Sequence, residues 1–317
     1  MSRVLAGAPI ALMLALAVGL CGCAGRTEPA TVRIGVLPIL DTLPMYVAAE
    51  TGAFAERGVA VEFVAAASAA ERDQLLQAGE IDGIITDLVA LALYNRDEPR
   101  VIAVRYAMTP TPRFAQFRVM AAGQSGITSP DQLAGVEIGI SEGTVIEYAT
   151  DRMLEAEGVV PAEIVTLAVP KIPERMALLG SGELRAATLP EPLASLAMMD
   201  GAVVVVDDTD HPDTSCSVYA FRKELVDERP DAVRGFLAAV SEASELINGD
   251  KGGWDDLLTE NALVPQPLMG SYELPDYPAD EIPTAAQFDD AVKWLGETGR
   301  LAQSSAYADS VDASFLP

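Results

Sequence analysis

Basic side chains, cysteine, histidine and aromatic rings are all scarce in this chain, and each scarcity removes a class of function. Lysine and arginine total 21 against 47 aspartates and glutamates, a formal net charge of −26. Sequence-independent binding to nucleic acid needs clustered cations against phosphates, so nucleic acid is set aside as a partner. The acid surplus reads as a soluble, self-repelling surface. Of the three cysteines, Cys21 and Cys23 lie close together near the start and Cys216 stands alone. They cannot assemble a cysteine metal site, and no metal site is expected. The one histidine, His211, sits in the turn-rich DTDHPDT and reads as a solvated loop residue rather than a base. Also missing are a phosphate-binding loop, a dinucleotide glycine fingerprint after Leu37 and a GxSxG elbow. Paired carboxylates remain for acid/base work, but any cleft in so acidic a protein would contain some. No catalytic residue and no cofactor is therefore assigned.

What the chain does have is length and apolar content. Its 317 residues, half of them hydrophobic, suffice for two domains with a core each. Residues 1–22 read as a targeting segment: Arg3 supplies the positive end, and the apolar run at 10–20 is shorter than the ~20 residues of a spanning helix. LCGC at 20–23 resembles the bacterial lipobox, which implies cleavage before Cys23, a diacylglycerol on its thiol and a polar tether at 23–31. The alternative is that both cysteines are merely small apolar residues of a signal peptide. An exported chain left with a lipidated Cys23 and Cys216 forms no disulfide, so its fold must stand on packing.

Two phrases recur. LLQAGEIDGIITD at 75–87 and LLGSGELRAATLPE at 178–191 each read as a helix end, a glycine stop and a buried strand, 103 positions apart, as are Gly79 and Gly182. VEIGIS from Val136 answers VRIGVL from Val32 at 104, and GVVPAEIVTL from Gly158 answers GVAVEFV from Gly58 at 100. Such a spacing is too long for a solenoid and suits a duplicated domain. Within the first copy TVRIGVL, VAVEFVAA, DGIITD and RVIAVRYAM read as strands alternating with helices, one of which carries Pro44 in its first turn; the alternation implies parallel pairing. FAQFRVMAAG at 114–123 enters the second unit as a strand and TSCSVYAF at 214–221 returns from it. One lobe is expected to comprise residues 32–116 and 215–317, the other 117–214. PDAVRGFLAAVSEASELI places Val233, Phe236, Leu237, Val240 and Ile247 on one buried face. Ser129 with Gln132 and Thr284 with Gln287 read as capping boxes.

Ligands of open parallel sheets bind beyond the carboxyl ends of the strands. Four such ends stand out: ILDTLP with Asp41, Thr86 and Asp87, SEGT at 141–144, and LPEP with Glu191. Two come from each lobe, so facing lobes would gather them at one cleft. In SEGT, Gly143 lets the backbone approach a ligand while the amides opening the next helix point outward; Thr144 with Glu147 equally reads as a plain capping box. The carboxylates Asp41, Asp87, Glu142 and Glu191 would favour a ligand with donors or positive charge, or they are caps and solvated groups.

With these residues in place, the chain resembles the solute-binding proteins of ABC importers, most closely the nitrate, sulfonate, taurine and thiamine-precursor group, which also holds thiamine-pyrimidine synthases. The resemblance rests on VRIGVLPILDTLPMYVAAETGAFAERGVAVEFV, LLQAGEIDGIITD, SGITSPDQLAGVEIGISEGT, the LLGSGE to PEP stretch and RPDAVRGFLAAVSEA, and runs from about Val32 to Leu316. It implies an α/β, two-lobed type 2 periplasmic-binding-protein fold, each lobe a mainly parallel sheet flanked by helices, joined by a two-strand hinge. It further implies a monomer, anchored to the membrane only by lipid, that presents a small solute to a permease. Asp41, Thr42, Asp87, Ser141, Gly143, Thr144 and Glu191 are then expected at or near the solute, with Tyr46 and Arg113 beside them and Thr86 and Glu142 in the same strand-end stretches. Leu184 and Arg185 depart from the family, which commonly has an aspartate there, and this puts local packing in question. The acidic walls favour an amine-bearing or heterocyclic solute over a sulfonate. The alternatives are an enzyme on the same fold, a pyrimidine synthase or a menaquinone-pathway dehydratase, and a surface lipoprotein that feeds a receptor.

Overall fold

The computed structural model describes residues 30–66, 68–303 and 306–317. The signal segment, LCGC and Cys23 lie outside the described residues. The strands are β1 (Ala30–Val36), β2 (Val59–Ala65), β3 (Gly83–Thr86), β4 (Val101–Met108), β5 (Phe117–Ala121), β6 (Glu137–Ile140), β7 (Val165–Ala168), β8 (Ala186–Pro190), β9 (Val203–Asp207) and β10 (Ser217–Arg222). The helices are α1 (Leu43–Glu50), α2 (Ala53–Glu56), α3 (Ala69–Ala78), α4 (Leu88–Tyr94), α5 (Val145–Ala156), α6 (Ile172–Ser181), α7 (Leu193–Met199), α8 (Lys223–Glu228), α9 (Pro230–Gly249), α10 (Asp255–Glu260), α11 (Ala285–Glu297) and α12 (Tyr307–Ser310).

The strands form two five-stranded sheets, ordered β2-β1-β3-β10-β4 and β7-β6-β8-β5-β9. In the first, β1 runs parallel to β2 and β3, while β10 is antiparallel to β3 and β4. In the second, β6 runs parallel to β7 and β8, while β5 is antiparallel to β8 and β9. The duplication is therefore visible in the register: Ile34 pairs with Gly83 where Ile138 pairs with Ala186. The antiparallel place is filled crosswise, by the first strand of the second unit in one sheet and by the returning strand in the other. This is the two-lobed α/β fold.

Packing explains why each sheet holds. One face of the first sheet carries α1, α2 and α9, and the other carries α4 and α11. Val233, Phe236, Leu237, Val240 and Ile247 of α9 are all fully buried, and the Phe236 ring meets Phe54, Tyr219 and Phe221 at 5.1, 6.0 and 5.3 Å. The second sheet is covered by α5 on one face and by α6 and α7 on the other. The helices α3 and α6, which precede β3 and β8, both end at a left-handed glycine, Gly79 at φ +73° and Gly182 at φ +81°, where a side chain would be strained. Leu184, at the departure from the family pattern, is buried against the backbone of Gly139 as Ile81 is against Gly35; the packing of the first lobe is kept. Both expected capping boxes form, although the one at Ser129 opens a short 3-10 turn, Pro130–Leu133, rather than an α-helix.

The chain crosses between the sheets at 109–116 and 208–216. Asp208 ties the two crossings together, accepting bonds from the backbone N–H of Gln116 and Phe117 and from the Ser215 hydroxyl. Burial pushes its carboxyl up to about 6, against these three donors.

Candidate functional site

The wall contributed by the first lobe begins at the turn Leu40–Thr42, which follows β1. The Ser217 hydroxyl donates to the Asp41 carboxylate and the Tyr219 hydroxyl to the Asp41 carbonyl. Burial raises the Asp41 carboxyl above its ordinary range, and the Ser217 bond partly offsets this. Thr42 is buried with its hydroxyl spent on the Ile39 carbonyl at 2.6 Å. One turn on, Tyr46 is half-buried and meets Phe63 edge-on at 5.1 Å. At the end of β3, Thr86 is buried and its hydroxyl oxygen has no partner among the described residues. Asp87 caps α4 by accepting from Ala90 N–H at 2.9 Å, and burial raises its carboxyl too. Neither Asp41 nor Asp87 takes part in an ion pair among the described residues.

The wall of the second lobe is differently charged. Ser141 accepts a bond from Arg175 Nη1 at 3.0 Å. Gly143 has φ +72° and its N–H donates to Glu147, while Thr144 Oγ1 accepts from Ile146 N–H and donates to the Ser141 carbonyl. The Thr144–Glu147 pair thus caps the turn, but with Glu147 bonded to Gly143 instead of to Thr144. Glu142 is exposed and lies 3.5 Å from Arg300, whose closer partner is the nearly buried Glu147 at 2.9 Å. The Glu191 side chain is 2% exposed and pairs with Arg118 Nε at 2.7 Å, and Arg118 Nη1 holds Asp207 at the same distance. Of the four carboxylates read as acidic walls, two therefore carry a cation of their own.

The two walls meet. Tyr272, from the segment after β10, donates to Glu191 at 3.4 Å; its phenol is pushed up first by burial, then by Glu191, and also by Asp41. Tyr277 of the same segment donates to the Leu40 carbonyl at 2.8 Å, so one stretch of chain touches strand ends of both lobes. On the other flank, Cys216 is buried beside Asp87, which adds to the upward push of burial on its thiol, and Cys216 in turn bears on Tyr148 of α5. Tyr148 donates to Asp290 at 2.8 Å, and Asp151 accepts from the Trp294 indole at 2.8 Å, so α5 is laced to α11 of the first lobe. An open groove of about 810 Å³ lies along α5 and α11.

Arg113 is not drawn in: its side chain is 88% exposed and faces Asp276 at 3.5 Å. His211 meets Glu157 at 2.9 Å. The groups that sequence reading passed over are Arg118, Arg175, Ser217, Tyr272 and Arg300, all of which touch an expected site residue. A lone charge inside the apolar strand FRVMA marked Arg118. Arg72 and Arg175 stand 103 positions apart, the spacing of the glycines.

Comparison with known proteins agrees with this architecture. The periplasmic aliphatic sulphonate binding protein SsuA from Escherichia coli superposes with a TM-score of 0.76 at 19% identity, over 90% of this chain and 92% of that one. The alkanesulfonate-binding protein SsuA from Xanthomonas axonopodis pv. citri bound to MOPS gives 0.73 at 16%, over 90% and 99%. The periplasmic nitrate-binding protein NrtA from Synechocystis PCC 6803 gives 0.69 at 16%, over 91% and 87%. At these identities the likeness establishes the fold alone. No curated protein matches the chain. The profile of the NMT1-like family matches residues 25–257. With well over half of its length matched, the chain belongs to the NMT1-like family.

Proposed function

We propose that this chain is an extracytoplasmic solute-binding lipoprotein of an ABC importer. In this reading Cys23 carries the lipid anchor, residues 32–116 and 215–317 form one lobe and 117–214 the other, and the monomer closes on a small polar solute and offers the closed form to a permease. The observation that carries the reading is the segment 272–277, whose Tyr277 donates to the Leu40 carbonyl beside Asp41 at 2.8 Å and whose Tyr272 donates to Glu191 of the other lobe at 3.4 Å. A solute seated there touches both walls, binds the closed form better than the open one and shifts the population toward it. Asp41, Thr42, Tyr46, Thr86, Asp87, Ser141, Glu142, Gly143, Thr144 and Glu191 are the proposed lining. Asp41 and Asp87, in no ion pair among the described residues, favour the donor groups of an amine-bearing or heterocyclic solute. No side chain is assigned a catalytic role. A thermal-shift screen of small solutes tests the reading: a solute at 100 times its Kd adds about 2.7 kcal/mol, and small-angle scattering should show the molecule contract. If no solute both stabilises and contracts the chain, it does not work as a clamp.

A further inference from the structure

Helix α5 follows a strand of the second sheet, yet it serves both lobes. Its apolar side, Ile146, Ala149, Met153 and Leu154, is buried on its own sheet. Tyr148 leaves that core: it is 4% exposed in one buried cluster with Phe288, Trp294 and Leu295 of α11, and meets the Trp294 ring edge-on at 5.6 Å. The rest of that side is polar. Tyr148 Oη and Arg152 Nε both donate to Asp290 at 2.8 Å, Arg152 Nη2 adds Asp290 at 3.1 Å and Glu297 at 3.3 Å, and Asp151 accepts from Trp294 Nε1 at 2.8 Å.

Arg300 carries this seam to the candidate site. The backbone turns at Gly299, φ +71°, and sets the Arg300 guanidinium 5.3 Å from the centre of the Trp294 ring, with Nη2 2.9 Å from Glu147. The same Glu147 carboxylate accepts from Gly143 N–H. A side chain of the first lobe thus holds, through Glu147, the turn at 141–144 of the second.

The duplication supplies a contrast. Helix α1, which follows β1 as α5 follows β6, buries Met45, Val47 and Ala48 and packs against α9 of its own lobe; that apolar contact cannot part unless the lobe unfolds. The α5 seam is built from ion pairs and hydrogen bonds, whose groups regain water when the surfaces separate. Polar contacts of this kind suit an interface between units that move.

We propose that the seam of α5 with α11 and Arg300 is a latch between the lobes: it forms as they come together, breaks as they part, and biases the chain toward its closed form through its own side chains. The latch rests on the clamp reading of the cleft and regulates that clamp. A solute then has less of the closing to supply, because part of the preference for the closed form is already built in. Opening also takes Arg300 from Glu147 and so loosens the turn at Gly143.

The test needs no ligand. Asp290→Ala with Arg300→Ala takes one acid and one base from the first-lobe side of the seam and leaves both sheet cores untouched. Arg96→Ala with Asp97→Ala makes the same change of charge at an exposed pair away from the seam. Both are built in Trp254→Phe, so that emission reports Trp294, the other of the two tryptophans. In the dialysed full chain, small-angle scattering should show a larger radius of gyration for the seam variant than for the parent, with Trp294 emission shifted to the red. The Arg96/Asp97 control should match the parent in both. Raising sodium chloride from about 0.1 M to about 1 M shortens the screening length from about 10 Å to about 3 Å, and should expand the parent more than the seam variant. Far-ultraviolet circular dichroism like the parent's shows that the lobes remain folded; should the seam variant fail this, Tyr148→Phe with Arg300→Gln, which keeps the ring and the side-chain volume, should move both readouts the same way. A folded seam variant that scatters like the parent overturns the latch, and so does a red shift without expansion, which confines the change to the indole. Scattering also separates the latch from the clamp. Expansion of the seam variant, in a chain that no solute contracts, leaves the latch standing and the clamp refuted; contraction by a solute, from a starting radius that parent and seam variant share, does the reverse.

Discussion

Replacing Arg118 with methionine keeps an apolar stem on β5 and removes the guanidinium on which β8 and β9 both depend. Arg118 donates to Glu191 and to Asp207, each at 2.7 Å. Without it, Glu191 keeps only the Tyr272 hydroxyl and the Ser195 amide, both at 3.4 Å, long for hydrogen bonds. Removing one partner of a buried ion pair costs about 3–5 kcal/mol. Glu191 is 2% exposed but Arg118 is 20% exposed, so water screens part of the interaction and we expect a loss of about 2–4 kcal/mol. Urea unfolding followed by far-ultraviolet circular dichroism at pH 7 measures it. The decisive comparison is the double variant Arg118→Met with Glu191→Gln, in which the buried Glu191 charge is gone and Asp207 keeps the Thr209 amide and hydroxyl; it should lie within about 1 kcal/mol of Glu191→Gln alone, because the main cost is the stranded Glu191 charge rather than the lost pair. If Arg118→Met costs under about 0.5 kcal/mol, as an ordinary surface substitution does, Glu191 is solvated and cannot be a desolvated wall of a binding cleft.

Three further outcomes are expected. Gly139→Ala would set a Cβ 2.7 Å from Leu184 Cδ1 and 3.2 Å from Arg175 Cγ, which should cost about 1–3 kcal/mol as overpacking; Leu184→Val in the same chain should recover part of it, and no recovery would place the strain elsewhere. Burial pushes Asp151 up to about 6 despite the bond from Trp294. A carboxyl raised in the folded state binds more protons there than in the unfolded chain, so stability falls as pH rises from about 4 to about 6 and is then level. Asp151→Asn should flatten that fall by about 2–3 kcal/mol, and an unchanged profile in denaturation at stepped pH would contradict the assignment. Cys23→Ala should move the protein from the membrane to the soluble fraction, and unchanged partition would refute the lipid anchor.

Much of the fold was legible because the signals that specify it are local and repeated. Gly79 and Gly182 each stop a helix one turn before a buried strand, and the apolar stripe on α9 needs only a period of 3.6 residues to be read. The strand ends that approach one another follow from parallel topology. The partners of the site residues were not legible, because they come from far along the chain. Glu191 is neutralised from β5, Glu147 from Arg300 beyond α11, and Tyr272 reaches the cleft from a stretch without regular structure. No spacing rule connects such pairs. The acidic walls were overcounted for the same reason: a carboxylate is visible in sequence, but the arginine that cancels it is not. At Thr144, the residue types predicted a capping box and the turn at Gly143 redirected the Glu147 side chain to a different amide.

The two lobes differ in how their charged side chains are answered. In the first lobe Arg33 and Arg72 are each answered by an aspartate, while Asp41 and Asp87 at its mouth take part in no ion pair among the described residues. In the second, Glu137 and Arg185 occupy the places of Arg33 and Asp82 with signs reversed, Glu191 is answered by Arg118, and the buried Arg175 meets no carboxylate among the described residues. The first wall therefore presents carboxylates without an ion pair among the described residues, while Glu191 of the second is neutralised by Arg118. A molecule whose donors reach Asp41 or Asp87 and whose other end reaches the strand ends of the second lobe makes both sets of contacts only when the lobes are together. A ligand that made one set alone would bind open and closed forms alike, and would shift nothing however tightly it was held.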